Sequence, residues 1–193
     1  MNRREFVTFG ASCAALVPQA SLAFSPSAKT NEPPLLAISD RRYSDSVRFA
    51  NAIARNGGEA IEIGSDIGTV WFGDIEPRLR HGGLRLAGVT LPSDLFVLER
   101  LVDRSRSATV YTGTHDWRGP GPCSRHRLTG AISLGRPASE LQSGGLDWAS
   151  ALGDALIPER LQAASLETRH LAFGLTPASD NPKYLTSWLM ALA

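Results

Sequence analysis

Two cysteines in 193 residues leave no basis for a disulfide-stapled scaffold or a multi-cysteine metal framework. An excess of one charge is also lacking: 20 lysines and arginines face 19 aspartates and glutamates, so no broad basic surface for nucleic acid is expected. No stretch reaches the roughly 20 predominantly apolar residues of a spanning helix. Repeats, coiled-coil seams and low-complexity blocks are missing, as are the Gly-x-Ser-x-Gly of a nucleophile elbow and the Cys-x-x-Cys-His of a haem attachment. Ser39 to Ser44 holds no glycine, and the turn at Gly64 lacks the second and third glycines of a dinucleotide fingerprint. What is present, 42% hydrophobic residues over this length, suits one modest globular domain.

The first 23 residues, MNRREFVTFGASCAALVPQASLA, read as an export leader: a basic start, a weakly apolar stretch from Phe6 to Leu22, then small residues at Ser21 and Ala23. Gly10, Ser12 and Pro18 interrupt the stretch, which argues against a permanent anchor. Arg3, Arg4 and Phe6, within Asn2-Arg3-Arg4-Glu5-Phe6-Val7-Thr8, resemble the twin-arginine motif, with Thr8 where that family often carries lysine. The alternatives are an ordinary secretory leader that happens to carry two arginines and, more weakly, a lipoprotein anchored at Cys13. The resemblance covers only the leader. It implies cargo that folds before export, a periplasmic destination and the twin-arginine machinery as a partner. Cleavage near Ala23 removes two of the 20 basic and one of the 19 acidic side chains, leaving 18 of each, with Cys123 as the remaining thiol.

Residues 24–34 are rich in Ser, Pro, Lys and Asn and read as a linker, followed by a single domain over 35–193. Leu35-Leu36-Ala37-Ile38 has the unbroken apolarity of a buried parallel strand. A helix from Ser44 or Asp45 puts Val47, Ala50, Ile53 and Ala54 on one side and stops at Asn56-Gly57-Gly58. Ala60 to Ile63 is a second strand. Asp66 can cap a turn at Val70 to Phe72, and Pro77 suits a short helix to Arg80. Leu84 to Thr90 is a third strand, Ser93 a cap for a helix carrying Leu95, Phe96, Leu98, Leu101 and Val102, and Ala108 to Thr112 a fourth strand. Strands alternating with helices predict an α/β fold: an open, mainly parallel sheet of Rossmann or flavodoxin-like type with helices on both faces. Trp117 to Gly130 reads mostly as turn, because Pro120, Pro122 and the glycines break regular structure. Beyond it come a short strand at Ala131 to Leu134, a helix at Leu146 to Leu156, another helix within Pro158 to Leu171, and a last strand at Tyr184 to Leu189.

Ligands of open parallel sheets sit beyond the carboxyl ends of the strands. That rule nominates Asp40, Arg41, Thr90, Ser93, Thr114 and His115 as ligand-binding residues, with Arg42, Ser65 and Asp66 on the same rim. The plainer reading makes Asp40, Asp66 and Ser93 turn or cap residues. His115, Cys123 and His126 form a candidate zinc or copper set, although their spacing matches no established motif. Cys123 with His115 or His126 as base, or Ser93 with Asp94 and a distant histidine, would serve nucleophilic catalysis. Arg118, Arg125 and Arg127 read as a solvated loop that can also engage a carboxylate or phosphate. His81 and His170 are unassigned, and Trp71 and Trp188 are expected in a core or interface.

The leading expectation is an exported periplasmic accessory or ligand-binding protein, associated with an exported redox-enzyme subunit. It has neither a nucleic-acid partner nor a stable membrane anchor. The competing classes are a small periplasmic hydrolase or oxidoreductase using the strand-end rim, and a metal-binding protein using His115, Cys123 and His126.

Overall fold

The computed structural model of the chain describes residues 33–64, 66–103, 106–117, 123–157, 160–174 and 182–193, with the side chains of Cys123 and Ser124 excepted. Arg3, Arg4, Phe6, the cleavage point at Ala23, Ser65 and Arg118 lie outside the described residues.

The apolar run at the start of the domain becomes β1 (Leu35–Asp40), every residue of which is buried. Its alternate side chains feed two cores: Leu35 and Ala37 one, Leu36 and Ile38 the other. This is the pattern of a strand covered on both faces. The helix α1 (Ser44–Arg55) follows. It lays Phe49, Ala50 and Ile53 on the first core and ends where Gly57 takes a positive φ of 91°. After β2 (Glu59–Ile63), Asp66 caps the short α2 (Ile67–Val70) by accepting from the Gly68 N–H at 2.8 Å. A π-helical turn (Trp71–Ile75) and α3 (Glu76–Leu79) lead to β3 (Leu84–Thr90) and α4 (Pro92–Leu101). Ile67, Val70, Trp71, Ile75, Leu95 and Leu98 from these helices and the turn build the second core.

The rest of the chain comprises β4 (Ser107–Asp116), β5 (Cys123–Ile132), α5 (Gly135–Ser143), α6 (Trp148–Ala155), β6 (Ala163–Gly174) and β7 (Tyr184–Leu192). The seven strands form one sheet in the order β2-β1-β3-β7-β4-β5-β6. Only β2, β1 and β3 pair in parallel; β7 pairs antiparallel with both β3 and β4, and β4, β5 and β6 pair antiparallel in turn.

The expected open, mainly parallel Rossmann or flavodoxin-like sheet is therefore overturned: the sheet is mixed, and most of its pairings are antiparallel. The helical crossover from β3 to β4 does return the chain in the same direction. The final strand, however, inserts between them, a non-local pairing that no local pattern announces. Trp117 to Gly130 is likewise corrected, because residues from Cys123 onward form a full strand. The helix expected within Pro158 to Leu171 is replaced by β6. Ser93 lies in the first turn of α4, behind Pro92, and not at its cap, which is Leu91.

α1, α5 and α6 cover the first core, which includes Tyr111 of β4 and Leu128 and Ile132 of β5. On the opposite face the second core draws its sheet residues from β1, β2, β3 and β7, with none from β4, β5 or β6. Among the described residues no helix packs on that side of the last three strands, and the sheet surface there is open. No described helix is long and apolar enough to cross a membrane.

Candidate functional site on the open sheet face

Adjacent positions on neighbouring strands project to the same face, so the register shows what this face carries, from buried Thr90, Thr186 and Trp188 to the open part over β4, β5 and β6. Thr90 pairs with Thr186, Thr186 with Thr114, Thr114 with Arg127, and Arg127 with His170. One row thus crosses five strands with hydroxyls, a guanidinium and an imidazole. The row below it holds Trp188, Thr112, Thr129 and Thr168, and the Thr129 and Thr168 hydroxyls meet at 3.2 Å. The row above it holds Tyr184, Asp116, Arg125 and Ala172, with Arg125 reaching Asp116 at 3.9 Å. A cavity of about 490 Å³ opens over β4, β5 and β6, and its lining includes Thr114, Asp116, Arg125, Arg127, His170 and Tyr184. Its size falls within the range of small-molecule sites.

β1, β3 and β4 run in the same direction, and Asp40, Thr90 and Thr114 stand at the same end of the sheet. Their environments differ. Asp40 is fully buried and accepts from Arg42, at 3.0 Å from Nε and 2.7 Å from Nη2. This bidentate pair holds the guanidinium firmly protonated. Arg41 turns outward to Glu62 at 3.4 Å. Thr90 is buried, accepting from the Trp188 indole N–H at 3.1 Å and donating to the Leu91 carbonyl. Ser93 is exposed. Beside it, Asp94 has its carboxyl pushed up by burial and then by the charge of Asp40, and its Oδ2 is buried without a hydrogen bond. Of the six nominated ligand residues, Thr114 is the one that lines the cavity.

His115, one residue on from Thr114, faces the helix-covered side. Tyr111, Ser187 and His115 are fully buried and His126 almost so. The Tyr111 hydroxyl lies 3.0 Å from Ser187 Oγ, Ser187 Oγ 2.8 Å from His115 Nε2, and His115 Nδ1 3.0 Å from His126 Nδ1. Among the described residues Tyr111 finds its hydroxyl partner only in Ser187, so its O–H donates. The chain is satisfied if Ser187 then donates to His115 Nε2 and His115 Nδ1–H donates to a neutral His126. Trp148 of α6 tilts over His115 with ring centres 4.6 Å apart, and Phe173 stacks on His126 at 4.7 Å. Trp148 in turn donates its indole N–H to buried Asp45 of α1 at 2.8 Å. Desolvation, joined at His115 by the neighbouring imidazole, lowers both histidines: His115 well below its ordinary value and His126 to about 4. Burial raises the Tyr111 phenol.

Gly113 makes room for this chain, since a β-carbon there would strike Ser187 Oγ and the Tyr111 hydroxyl. Hydroxyl, imidazole and imidazole in sequence is an arrangement that can activate a nucleophile. Here, however, Ser187 is fully buried and shared with Tyr111. Cys123 opens β5 opposite Gly174, and its side chain is outside the described residues. Of the His115, Cys123 and His126 set, the structure brings the two imidazoles together. Among the described residues no group of three or more His, Cys, Asp or Glu side chains is placed to hold a metal.

His170, Tyr184, Tyr111 and Ser187 escaped the sequence reading as site residues, whereas Arg127 was read as a loop residue able to engage a carboxylate or phosphate and is found on β5. The available signal was the alternation Arg125, Arg127 and Thr129 outward against His126 and Leu128 inward. Compared with protein-family models, with curated proteins and with solved structures, the chain gives no match.

Proposed function

We propose that this is an exported ligand-binding protein. On this reading the twin-arginine leader delivers the folded domain to the periplasm, and a small polar molecule seats on the open face of β4, β5 and β6. The observation that carries the reading is the 490 Å³ cavity whose lining side chains are brought together from four strands by register alone. An accessory role toward an exported redox enzyme is compatible with it, the bound molecule then being shared with or delivered to that enzyme.

Native mass spectrometry of the protein recovered from the periplasm tests the proposal. A small molecule should accompany the wild type and be lost from Thr114→Trp, whose indole fills the cavity from an already partly exposed position. Equal retention by a folded Thr114→Trp variant would contradict the site.

A hydrolytic reading keeps one observation, the contact of Ser187 with His115. It predicts covalent labelling of Ser187 by a fluorophosphonate, whereas the binding reading predicts none.

A further inference from the structure

We infer that the ligand of this face carries an oxyanion, a carboxylate or phosphoryl group, gripped by Arg127 with His170 and Thr114. The inference rests on the open-face site just proposed and concerns its chemistry. Two arginines stand two residues apart on β5 and differ in what flanks them. Arg125 lies between Asp116 on β4 and Ala172 on β6, and the Asp116 carboxylate answers its charge at 3.9 Å. Arg127 lies between Thr114 on β4 and His170 on β6. No carboxylate occupies its row, and among the described residues it forms no ion pair.

Cross-strand neighbours of this kind have β-carbons about 5 Å apart, and placing a guanidinium opposite an imidazole gains nothing by itself. An oxyanion between them turns the pairing into an asset: the planar fork of Arg127 offers two parallel N–H donors, His170 a third, and the Thr114 hydroxyl a fourth. Arg127 and His170 are both exposed at the cavity mouth, so neither side chain has to be desolvated to build the site. Asp116 on the neighbouring row repels a second anionic group there.

The test is calorimetry and ¹⁵N-resolved titration of the full chain with inorganic phosphate, with succinate, and with succinamide as the uncharged counterpart of succinate. At least one anion should bind, shifting amides of β4, β5 and β6, while succinamide should not. Phosphate alone would assign a phosphoryl ligand, and succinate alone a carboxylate. Affinity should fall tenfold or more in Arg127→Ala, less in Arg127→Lys and in His170→Ala, and stay unchanged in Arg78→Ala, a surface control paired to Glu59.

Binding of neither anion would overturn the inference, as would succinamide matching succinate or a folded Arg127→Ala keeping full affinity. Shifts that stay on β4, β5 and β6 without charge dependence overturn the oxyanion and leave the site reading standing. Anion-induced shifts confined to other elements overturn both.

Discussion

Ser187 stands fully buried between two buried polar groups, the Tyr111 hydroxyl and His115 Nε2. Its hydroxyl is worth more to the fold than its size suggests, because removing it orphans a donor and an acceptor together. Ser187→Ala should therefore destabilise by about 2–6 kcal/mol in urea unfolding, each of the two orphans costing roughly 1–3 kcal/mol. Tyr111→Phe in the same chain should recover part of that loss, since one orphan is then gone. An additive double mutant would mean that the Tyr111–Ser187 bond contributes nothing. Polar chains of this kind are invisible in a sequence: serine, tyrosine and two histidines, spread from position 111 to 187, share no spacing. They meet only because β7 lies against β4, and β4 against β5.

Among the elements, α6 meets α1 through the Arg55–Ser150 and Asn56–Asp154 hydrogen bonds, and Trp148 ties it to α1 and to the sheet at once. Trp148 covers His115 and donates to Asp45, while Gly153 lets the helix approach closely enough that a β-carbon there would lie 2.9 Å from Ala52 Cβ. Trp148→Phe keeps the aromatic packing and removes the N–H. The expected loss is roughly 1.5–3 kcal/mol, the range for a hydrogen bond to a charged group, with faster amide exchange in α6 than in β1 as the local signature. Uniform acceleration across all elements would argue against a local tie.

The elements also show which parts of the fold were legible. β1, α1, β3, α4 and β7 follow from unbroken apolar runs, helical periodicity and a glycine stop, all local effects. β5 was misread because its inward positions include a histidine and a glycine, His126 and Gly130. The alternation that marks a half-buried strand was present in Arg125, Arg127 and Thr129, but with charge outside and little apolarity inside. β6 pairs through exposed polar residues at the sheet edge, where burial leaves no hydrophobic period to find. Of the nominated site, Thr114 was reached by the strand-end rule. Arg127 and His170 were not, because that rule looks at strand tips and these residues lie on a strand face.

Across the whole molecule, the buried imidazoles make stability depend on pH with a definite sign. Both histidines have folded-state values depressed below their unfolded value of about 6.5. Below that pH the unfolded chain takes up protons that the folded chain refuses. Their contribution is complete above about pH 6.5 and is lost as the pH falls toward about 4, where His126 titrates in the fold. His126 alone accounts for about 3 kcal/mol over that window. Asp66 and Glu167, lowered by their hydrogen-bond partners, act in the same direction, whereas Asp94, raised by burial, opposes them weakly. Urea midpoints should drop steeply between pH 6.5 and 4. In the paired substitution His115→Gln with His126→Gln that slope should flatten, whatever the absolute stability of the variant.

The binding account at this scale makes the uncovered half of the sheet the working surface and the helix-covered half its support. Hydrogen–deuterium exchange of the full chain carrying its co-purified ligand, compared with the same protein stripped by unfolding and refolding, examines that division directly. The account predicts slowed exchange with ligand in residues 112–116, 123–129 and 168–172 and little change in α1 or α6. Equal exchange in those strands, with protection appearing only over α2, α3 and α4, would contradict it.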